Sequence, residues 1–467
     1  MALSEISEGT YISSAVSCLG SGLGATLRGV GDFNALVISY AFPPVGGAGV
    51  QRSAKLVKFL PEFGISPSVL TVSNPSVPLR DEALMRDIPP RTRIVRAATL
   101  EPSYGLKHST WKREAVEHVG LYQRSRQLAM NAARKALVPD PQILWIPGAA
   151  MALGRELRAR SVNCVLVSAP PFSQFLLAPI ARMSRHTGVV LDYRDEWSTA
   201  RNTYEMLAGS LARVAGEALE HGILRVAHFV TTATEDFRRQ LLARYTFLRP
   251  ERVVAIPNGY DPDDFGIDSA ELPNDRLVLT YAGTVFKLTS ATGLLAAIRL
   301  VHEREPQLAK LLTVRFIGRI VDTELQQFEG FESMGLEKVG YVPHDRVIGE
   351  LSRSHVTLCL LDDVPGVERI YPAKIFELMY LSQPVLALTP EGALSRLVMS
   401  HGLGVVIPPR DTERIAEQLS HWLVDFRRGT VPRRHGYDPA TIRKYHRRGL
   451  AGEFAVVMRR AASLRAS

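Results

Sequence analysis

The feature of the sequence that most constrains its fold is a repeated alternation of short β-branched runs with longer helical patterns. The first runs are NALVISYA at residues 34–41 and SPSVLTVS at residues 66–73. Further runs follow at residues 163–169, 189–195, 228–233 and 252–258. Such an alternation is typical of stacked βαβ units, whose strands form a parallel sheet with helices on its faces. We therefore predict a first domain over residues 31–260.

A second alternation of the same kind follows a polar segment, GYDPDDFGIDSAELPNDR. This segment contains several Pro and Gly turn signals and no apolar periodicity, so we place an interdomain linker at residues 261–276. The later strand-like runs lie at residues 277–283, 312–318, 337–342, 355–361, 384–389 and 404–408. The predicted fold class is therefore α/β, with two tandem Rossmann-like domains, the second over residues 277–430.

The two ends of the chain differ from these domains. The first thirty residues are rich in Ser and Gly and have Glu5 and Glu8 where a secretory signal would be positive, so we interpret residues 1–30 as a flexible leader. Residues 431–467 contain one basic amphipathic helical pattern that starts at Asp438. Its apolar face carries Leu450, Phe454, Val457 and Met458. We expect this C-terminal helix to pack back on the N-terminal domain.

Length and charge narrow the classes of partner. With 467 residues, 46% of them hydrophobic, the chain is long enough for two domains of about 200 residues each. Its net charge of +9 favours anionic partners. No run of 18 or more apolar residues occurs, so we expect any membrane contact to be peripheral. Cys18, Cys164 and Cys359 lack the spacing of a disulfide framework or zinc site, which fits a reducing cytoplasm.

Four loops that follow predicted strands carry residues suited to a ligand, because open parallel sheets bind ligands beyond the carboxyl ends of their strands. The first loop is AFPPVGGAGVQR, in which Gly46, Gly47 and Gly49 allow a close backbone approach at the start of a helix. A phosphate site and a strand-to-helix turn without ligand are equally good interpretations. The loop lacks the Lys-Ser/Thr ending of an ATPase phosphate loop.

The second loop, VLDYRDEW, places Asp192, Arg194 and Asp195 at the end of a strand. Charges in such a position are costly unless they pair with each other or bind a ligand. A salt bridge between Arg194 and one of the carboxylates would explain them without a ligand. A role for Asp195 or Asp192 in a binding site is the alternative.

A neighbouring segment, SAPPFSQF, ends another strand of the same predicted sheet. Its candidate ligand contacts are the hydroxyl groups of Ser168 and Ser173. Such a segment by itself more often starts a helix than forms a binding site. Ser168 and Ser173 are therefore candidate site residues only together with the second loop.

The third loop, YAGTVFK, opens the second domain with Gly283, Thr284 and Lys287. It resembles an anion site in which Lys287 supplies the charge. A lysine exposed to solvent is the alternative, and it is the commoner state of a single lysine.

The fourth loop, ERIYPAKIFELM, enters a short helix that places Lys374 and Glu377 three residues apart on one face. A surface ion pair between them would require no ligand. However, Glu377 is embedded in the apolar run IFELMYL, where an unpaired carboxylate would be costly. A ligand rich in hydroxyl groups would satisfy this carboxylate.

Taken in order, these motifs resemble the GT-B glycosyltransferases of glycosyltransferase family 4, in particular the type that assembles bacterial exopolysaccharide, capsule and O-antigen. FPPVGGAGVQR resembles the opening glycine loop of that family, PPFS with DYRDEW resembles its central signature, and IPNGYDPDDF resembles its interdomain segment. YAGTVFK, VGYVPHDRV and YPAKIFELMYLSQPV are similar to the donor-site motifs of its second domain. The resemblance covers residues 33–425 in the order of the family.

The resemblance implies a retaining enzyme, with two domains facing across one cleft, that transfers a sugar from a nucleotide diphosphate to an acceptor hydroxyl. Glu377 would bind the ribose hydroxyls, and Lys287 with Lys374 would neutralise the diphosphate. The implied donor contacts are Gly46, Gly47, Gly49, Gly283, Thr284, Arg319, Tyr341, Val342, Pro343, Arg369, Tyr371, Lys374 and Glu377. The implied catalytic residues are Asp195, Lys287 and Glu377. The implied acceptor-positioning residues are Ser168, Ser173, Asp192 and Arg194.

The chemistry implied by this resemblance explains the residue types. The leaving diphosphate gains negative charge in the transition state, and each preorganised donor aimed at it contributes about 3 kcal/mol. With Lys side chains and backbone N–H groups in that role, we expect no metal and no other cofactor. The departing phosphate would take the proton of the acceptor, and Asp195 would position the acceptor or the sugar.

The sequence departs from the family pattern at three places. The family often has a second Glu eight residues before the ribose-binding one, and here Arg369 stands there with Glu368 adjacent. A His often found near the PPFS segment is replaced by Gln174 and Phe175. The Arg that usually accompanies the Lys of the second domain is not evident, and Arg319 is its candidate substitute. These departures leave the donor sugar open.

A basic helical pattern at residues 111–137 lies in the predicted acceptor domain. It suits an anionic membrane face and a lipid-linked saccharide acceptor, although a solvated helix with its leucines packed inward is an equally good interpretation. We predict no nucleic-acid partner, because the basic residues are not interleaved with exposed aromatic residues. The expected setting is the cytoplasm, with peripheral binding to the inner face of the membrane.

Three other functions stay open on the sequence. A sugar-nucleotide epimerase shares the two-domain architecture. A non-catalytic protein that binds nucleotide or membrane and supports another transferase would account for Arg369 and Phe175. A natural-product glycosyltransferase is the third, because acceptor loops such as residues 74–104 give no clear pattern.

Overall fold

The computed structural model describes residues 33–77, 80–102, 137–197, 210–266, 271–381 and 383–466. The chain divides into two compact units, one of residues 1–257 with 447–467 and one of residues 258–446. The predicted leader at residues 1–30 and the basic segment at residues 111–136 lie outside the described residues. The domain boundaries predicted from the sequence stay predictions.

The first unit contains a seven-stranded parallel sheet in the order β3-β2-β1-β4-β5-β6-β7. Its strands are β1 (Phe33–Ile38), β2 (Ile65–Val72), β3 (Arg93–Ala97), β4 (Cys164–Ala169), β5 (Gly188–Tyr193), β6 (Phe229–Thr232) and β7 (Val253–Ala255). Along β1, Leu36 and Ile38 pack into the core on one face, whereas Ala35 and Val37 pack into the core on the other. Both faces of the sheet are therefore covered, as a doubly wound fold requires.

Among the described residues, five helices of the first unit precede the second unit in the chain. They are α1 (Ala48–Phe59), α2 (Ile146–Ala159), α3 (Ala178–Met183), α4 (Ser210–Val226) and α5 (Glu235–Arg244). Local sequence explains where some of them begin. The Thr234 hydroxyl accepts a hydrogen bond from the backbone N–H of Phe237 at 3.0 Å, which caps α5. A Pro in the first turn starts α2 and α3.

The second unit contains a six-stranded parallel sheet in the order β10-β9-β8-β11-β12-β13. Its strands are β8 (Leu277–Ala282), β9 (Leu312–Ile317), β10 (Leu336–Val339), β11 (Val356–Leu360), β12 (Val385–Leu388) and β13 (Gly404–Ile407). Its helices are α6 (Thr292–Arg304), α7 (Pro306–Ala309), α8 (Asp322–Leu325), α9 (His344–Ser352), α10 (Lys374–Tyr380), α11 (Ala393–Ser400), α12 (Thr412–Arg427) and α13 (Pro439–Ile442). The predicted α/β class with two Rossmann-like sheets is confirmed.

Short 3₁₀ turns complete several connections. In the first unit they span Leu60–Phe63, Glu82–Asp87, Pro141–Trp145, Phe172–Leu177 and Pro250–Arg252. In the second unit they span Pro262–Asp264, Lys287–Thr289, Gln326–Phe328, Glu332–Met334, Val367–Arg369 and Arg443–Tyr445. Among the described residues, no helix is both long and apolar enough to cross a bilayer.

The C-terminal segment differs from the single helix predicted from Asp438. The helical pattern is interrupted at His446, which is extended, before α14 (Arg447–Ala466) begins. The cause is distant in sequence: the backbone N–H of Tyr260 donates to the Tyr445 carbonyl at 3.0 Å, and Tyr260 pairs with His446 in a β-bridge. This pairing takes the backbone out of helical conformation between α13 and α14.

Helix α14 belongs to the first unit, where it packs beside α1 on one face of the sheet. Leu450, Phe454, Val457 and Met458 are all buried in that core. The helix lies so close to β5 that a Cβ atom on Gly188 would be 2.6 Å from the backbone of Ala461. The glycine therefore sets the distance between this helix and the sheet.

We expect Gly188→Ala to destabilise the first unit by about 1–3 kcal/mol, because α14 must shift to admit one methyl group. Urea unfolding of the full chain measures this loss. The matched control is Gly222→Ala within α4, where nothing lies within 4 Å of the added atom, and there the change should be neutral or stabilising. Equal stability of the two variants would contradict the close packing of α14.

Candidate functional site

The loops at the carboxyl edge of the second sheet are joined to one another by backbone hydrogen bonds. After β8, the N–H of Val285 donates to the Arg319 carbonyl beyond β9 at 2.8 Å. The N–H of Asp362, beyond β11, donates to the Leu288 carbonyl at 2.7 Å. These bonds fix the backbone next to Lys287 and form one continuous rim.

Close packing of two glycines reinforces this rim. Gly318 has a φ of +119°, and a Cβ atom there would lie 2.4 Å from the Gly283 carbonyl oxygen. Its N–H also donates to the Val339 carbonyl at the end of β10, at 3.0 Å. Only glycine fits this position, where three loops meet.

Lys374 is held against the end of β8. Its Nζ lies 3.6 Å from the centroid of the Tyr281 ring, an arrangement that stabilises the cation. The Tyr281 hydroxyl donates to the Thr284 carbonyl at 2.9 Å. Gly283, with a φ of +141°, leaves room for the ammonium group, since a Cβ atom there would be 2.6 Å from Nζ. The structure therefore places Lys374 beside the YAGTVFK loop.

Two further cations follow the strands of this edge. Lys287 and Arg319 both have exposed side chains, one after β8 and the other after β9. Together with Lys374 they place three cations on the loops at the carboxyl edge of the second sheet. Such an edge suits a ligand with negative charge.

The Glu377 carboxylate has a hydrogen-bond partner other than Lys374. Its Oε1 lies 3.0 Å from Nε2 of His344, the first residue of α9, and the Glu377 side chain is 18% exposed. The contact joins α10 to the segment that follows β10. Sequence reasoning missed His344, although the VGYVPHDRV motif contains it. Before it in that motif, Tyr341 is exposed and Val342 is partly buried, and Pro343 immediately precedes α9.

The Glu368–Arg369 pair lies in the loop after β11. The Arg369 guanidinium pairs with the Glu368 carboxylate, and that carboxylate also accepts from the Gly366 N–H at 3.0 Å. Tyr371 packs edge-on against Phe376, with ring centroids 5.7 Å apart. Arg369, which stands where the resemblance implies a glutamate, thus pairs with its own neighbour in sequence.

In the first unit, Asp192 is buried in a charged network. Arg52 of α1 donates to its carboxylate at 2.8 and 3.0 Å, and the Ser168 hydroxyl donates at 2.6 Å and that of Thr231 at 2.7 Å. Arg52 also donates to the Ile256 carbonyl at 2.8 Å. The ion-pair partner of Asp192 is therefore Arg52, a residue that the local sequence around Asp192 does not indicate.

The network controls the protonation of Asp192. Burial by itself would raise the pKa of this carboxyl, but the Arg52 guanidinium and the two hydroxyl donors outweigh burial and leave its pKa below the ordinary value. The carboxylate therefore stays ionised and ties α1 to β4, β5 and β6. Ser168 and Asp192 are each about 1% exposed. They therefore stabilise the loops at the carboxyl edge of the first sheet without being exposed there.

Arg194 connects the other two motifs of the first unit. Its guanidinium donates to the carbonyls of Gly49 and Pro170. A Cβ atom on Gly49 would be 3.3 Å from this guanidinium, which explains a glycine there. Asp195, partly buried beside Arg194, has its pKa raised by burial against the opposing effect of the Arg194 charge. The glycine loop and the PPFS turn are thus both fixed to the DYRDEW loop.

The glycine loop turns into α1 through Gly47, which has a φ of +106° and accepts from the Val50 N–H at 3.1 Å. Gly46 lies partly buried beside it. In the PPFS turn, the Ser173 N–H donates to the buried carboxylate of Asp140 at 2.9 Å. Asp140 has no local sequence signal, and sequence reasoning missed it.

Gln174 and Phe175, which stand where the resemblance implies a histidine, face inward. Gln174 accepts from the Tyr40 N–H at 3.0 Å through its side-chain oxygen. Phe175 packs against Tyr193, with ring centroids 4.6 Å apart. Both side chains are buried, so they hold the ends of β1, β4 and β5 together.

We expect Arg52→Met to cost about 3–5 kcal/mol of unfolding free energy at pH 7, because it leaves the Asp192 carboxylate buried without its counter-charge. With native Arg52, the stabilisation from Asp192 persists above the unfolded pKa near 4 and is lost only as pH falls through its lower folded pKa. Without Arg52 burial raises that pKa, so the loss should shrink between pH 7 and pH 5. Urea unfolding at the two pH values measures the effect.

A double variant and a surface pair provide the controls. Arg52→Met with Asp192→Asn should recover part of the loss, because the second change removes the unpaired charge. Arg239→Met on α5 breaks an exposed pair with Asp236 and should cost at most about 1 kcal/mol. A pH-independent loss without recovery in the double variant would contradict the role given to Arg52.

Comparison with known proteins agrees with this architecture. The family described as Glycosyl transferase 4-like domain matches residues 47–259. No curated protein matches the sequence. Anabaena HepE, solved with UDP and glucose, is 12% identical with a TM-score of 0.54, over 92% of this chain and 98% of HepE.

Two further structures share the fold. WaaG, a glycosyltransferase involved in lipopolysaccharide biosynthesis, is 12% identical with a TM-score of 0.52, over 92% of this chain and 98% of WaaG. A variant of S. aureus TarM, in complex with UDP and saccharides, is 8% identical with a TM-score of 0.57, over 91% of this chain and 99% of TarM. At these identities the likeness concerns the fold. The chain therefore has the GT-B fold, and residues 47–259 are similar to the Glycosyl transferase 4-like domain, which supports the prediction of a glycosyltransferase enzyme.

Proposed function

We propose that the protein is a retaining glycosyltransferase that transfers a sugar from a nucleoside diphosphate to a saccharide acceptor in bacterial cell-surface polysaccharide assembly. The observation that carries the proposal is the carboxyl edge of the second sheet, where Lys287, Arg319 and Lys374 accompany the carboxylate of Glu377. A nucleoside diphosphate has the matching chemistry, because it joins an anionic diphosphate to a ribose with two hydroxyl groups.

In this proposal the three cations stabilise the diphosphate leaving group. Departure of the sugar increases the negative charge on the diphosphate, and preorganised positive groups stabilise this change. Lys374 is held by the Tyr281 ring, and Gly283 leaves room for its ammonium group, so little reorganisation is needed when the charge develops. Lys287 and Arg319 are exposed and reach the ligand from the two neighbouring loops.

In this proposal Glu377 binds the ribose. A carboxylate accepts hydrogen bonds at both oxygens, and His344 holds one of them at 3.0 Å. The contact orients the carboxylate so that it accepts from the ribose hydroxyls. The exposed Tyr341 and the backbone through Pro343 flank the base, and Arg369 and Tyr371 lie on the loop that leads into α10.

In this proposal the first unit binds the acceptor. Asp195 positions the acceptor or sugar, and Gly46, Gly47 and Gly49 allow close backbone approach. Ser168, Ser173 and Asp192 act indirectly, since all three are buried. A lipid-linked saccharide on an anionic cytoplasmic membrane face fits the net charge of +9.

We expect Glu377→Ala to raise KM for the donor at least about tenfold, because it removes hydrogen bonds to a charged acceptor. Lys287→Ala should lower kcat about 100-fold, because its cation acts mainly as the leaving-group charge grows. Donor consumption and product formation with UDP-glucose, GDP-sugars and dTDP-sugars measure both effects. UDP-glucose is tested first because HepE was solved with UDP and glucose.

Lys310→Ala is the matched control, since Lys310 is exposed on the same unit and contacts Gln307 at 3.1 Å. Its kinetics should equal those of the native protein. Activity that survives the changes at Glu377 and Lys287 would contradict the assigned donor site. Isomerised donor without transfer would instead indicate an epimerase, and nucleotide binding without turnover would indicate a non-catalytic partner.

We expect excess EDTA to leave the transfer rate unchanged, because the lysine and arginine side chains named above supply the positive charge at the diphosphate. Rate measurements with EDTA and with added Mg²⁺ or Mn²⁺ test this expectation. Loss of activity in EDTA that either cation restores would contradict it.

A further inference from the structure

An arginine from the segment between α12 and α13 holds the C-terminal end of α10. The Arg434 guanidinium donates to the carbonyls of Met379 and Gln383 at 2.9 Å each, and it also donates to the carbonyl of Leu378. Leu378 and Met379 belong to the last turn of α10, and Gln383 lies between α10 and β12. One side chain therefore fixes both the end of the helix and the segment that follows it.

These carbonyls need a donor from outside the helix. The last four carbonyl groups of an α-helix have no partner within it. In α10 the N–H of Leu381 donates to the Glu377 carbonyl at 3.3 Å, whereas the carbonyls of Leu378 and Met379 accept from Arg434. Leu378 and Met379 are at most 2% exposed, so water has little access to them. A buried carbonyl without a donor would be costly.

Arg434 remains charged although no Asp or Glu of the described part of the chain pairs with it. Burial lowers its pKa to about 10, against a weaker opposing effect of Tyr437, which still leaves it charged at neutral pH. Its guanidinium carbon lies 4.5 Å from the centroid of the Tyr437 ring. The carbonyls at the end of α10 carry partial negative charge and thus stabilise this cation.

The position of these bonds relates them to the proposed donor site. Leu378 directly follows Glu377, and an α-helix rises about 1.5 Å per residue, so a displacement of the last turn also displaces Glu377. Ile375 and Phe376 pack α10 onto the core, but apolar contacts are not directional. Hydrogen bonds at the end of the helix restrict its position along the axis more closely than such packing does.

We propose, on the basis of the proposed function, that Arg434 is a positioning residue of the donor site. It fixes the last turn of α10 and thereby holds the Glu377 carboxylate where the ribose of a nucleoside diphosphate binds. Tyr437 contributes to the same effect, because its hydroxyl donates to the Met379 carbonyl at 2.9 Å.

Titration calorimetry of the full chain with UDP, GDP and dTDP tests this role. The native protein should bind at least one of them. Arg434→Met should weaken that binding about tenfold, because it removes the hydrogen bonds of a charged donor. Arg434→Lys keeps the charge but reaches fewer carbonyls, so it should weaken binding less. Tyr437→Phe removes one neutral donor and should weaken binding about threefold.

Arg433→Met is the matched control. Arg433 is the preceding residue, is exposed, and makes no hydrogen bond or ion pair with the residues that the structure describes. This variant should bind the nucleotide as the native protein does. Urea unfolding verifies that each variant is folded under the titration conditions, and Arg434→Lys with Tyr437→Phe provide the test if Arg434→Met is not.

A double-mutant cycle separates positioning from a general loss of stability. In the Glu377→Ala background the carboxylate to be positioned is absent, so Arg434→Met should weaken binding no more than about twofold further. A merely structural role would give the same factor in both backgrounds.

The same measurements distinguish failure of this inference from failure of the proposed function. Native-like affinity in Arg434→Met and Tyr437→Phe, or an equal loss in the two backgrounds of the cycle, would overturn the positioning role and leave the donor site intact. Absence of binding of all three nucleotides to the native protein would contradict the proposed function and overturn both.

Discussion

The parallel direction of the strands is the constraint on which the candidate site depends. Each strand-to-helix loop of a unit leaves the sheet at one edge, so residues far apart in sequence end on the same rim. In the second unit, backbone hydrogen bonds from Val285 and Asp362 join these loops across neighbouring strands. Lys287 and Lys374 would be ordinary surface cations if each stood alone. Their common edge is what gives them a shared electrostatic role.

Helix α10 depends on contacts at both of its ends. It has seven residues, too few to be stable as an isolated helix. Toward its first turn, Glu377 contacts His344, while the Tyr437 hydroxyl and Arg434 each donate to the carbonyl of Met379 at 2.9 Å. Cations at a helix C-terminus are favourable. The positions of Lys374 and Glu377 therefore rest partly on residues at the opposite side of the unit.

The sequence predicts most of the strands closely, because these are short apolar runs bounded by turn residues. The run at residues 163–169, for example, becomes β4 at Cys164–Ala169. It predicts site candidates that stand at strand ends, but it does not predict their partners. Arg52 and Asp192 are 140 residues apart, and no local pattern relates them. The break at His446 likewise depends on Tyr260, which a helical periodicity does not include.

Two carboxyl groups of one loop show how the environment divides roles between similar residues. Asp192 is surrounded by Arg52 and two hydroxyl donors, and its pKa is lowered. Within the described part of the chain Asp195 has no such set of donors, and burial raises its pKa, with the nearby Asp192 charge acting in the same direction. Environments that separate the pKa values of neighbouring carboxyls commonly separate their functions. Asp192, which is charged at neutral pH, is suited to holding the first sheet together, and Asp195 is the carboxyl of this loop for which we propose a role in positioning the substrate.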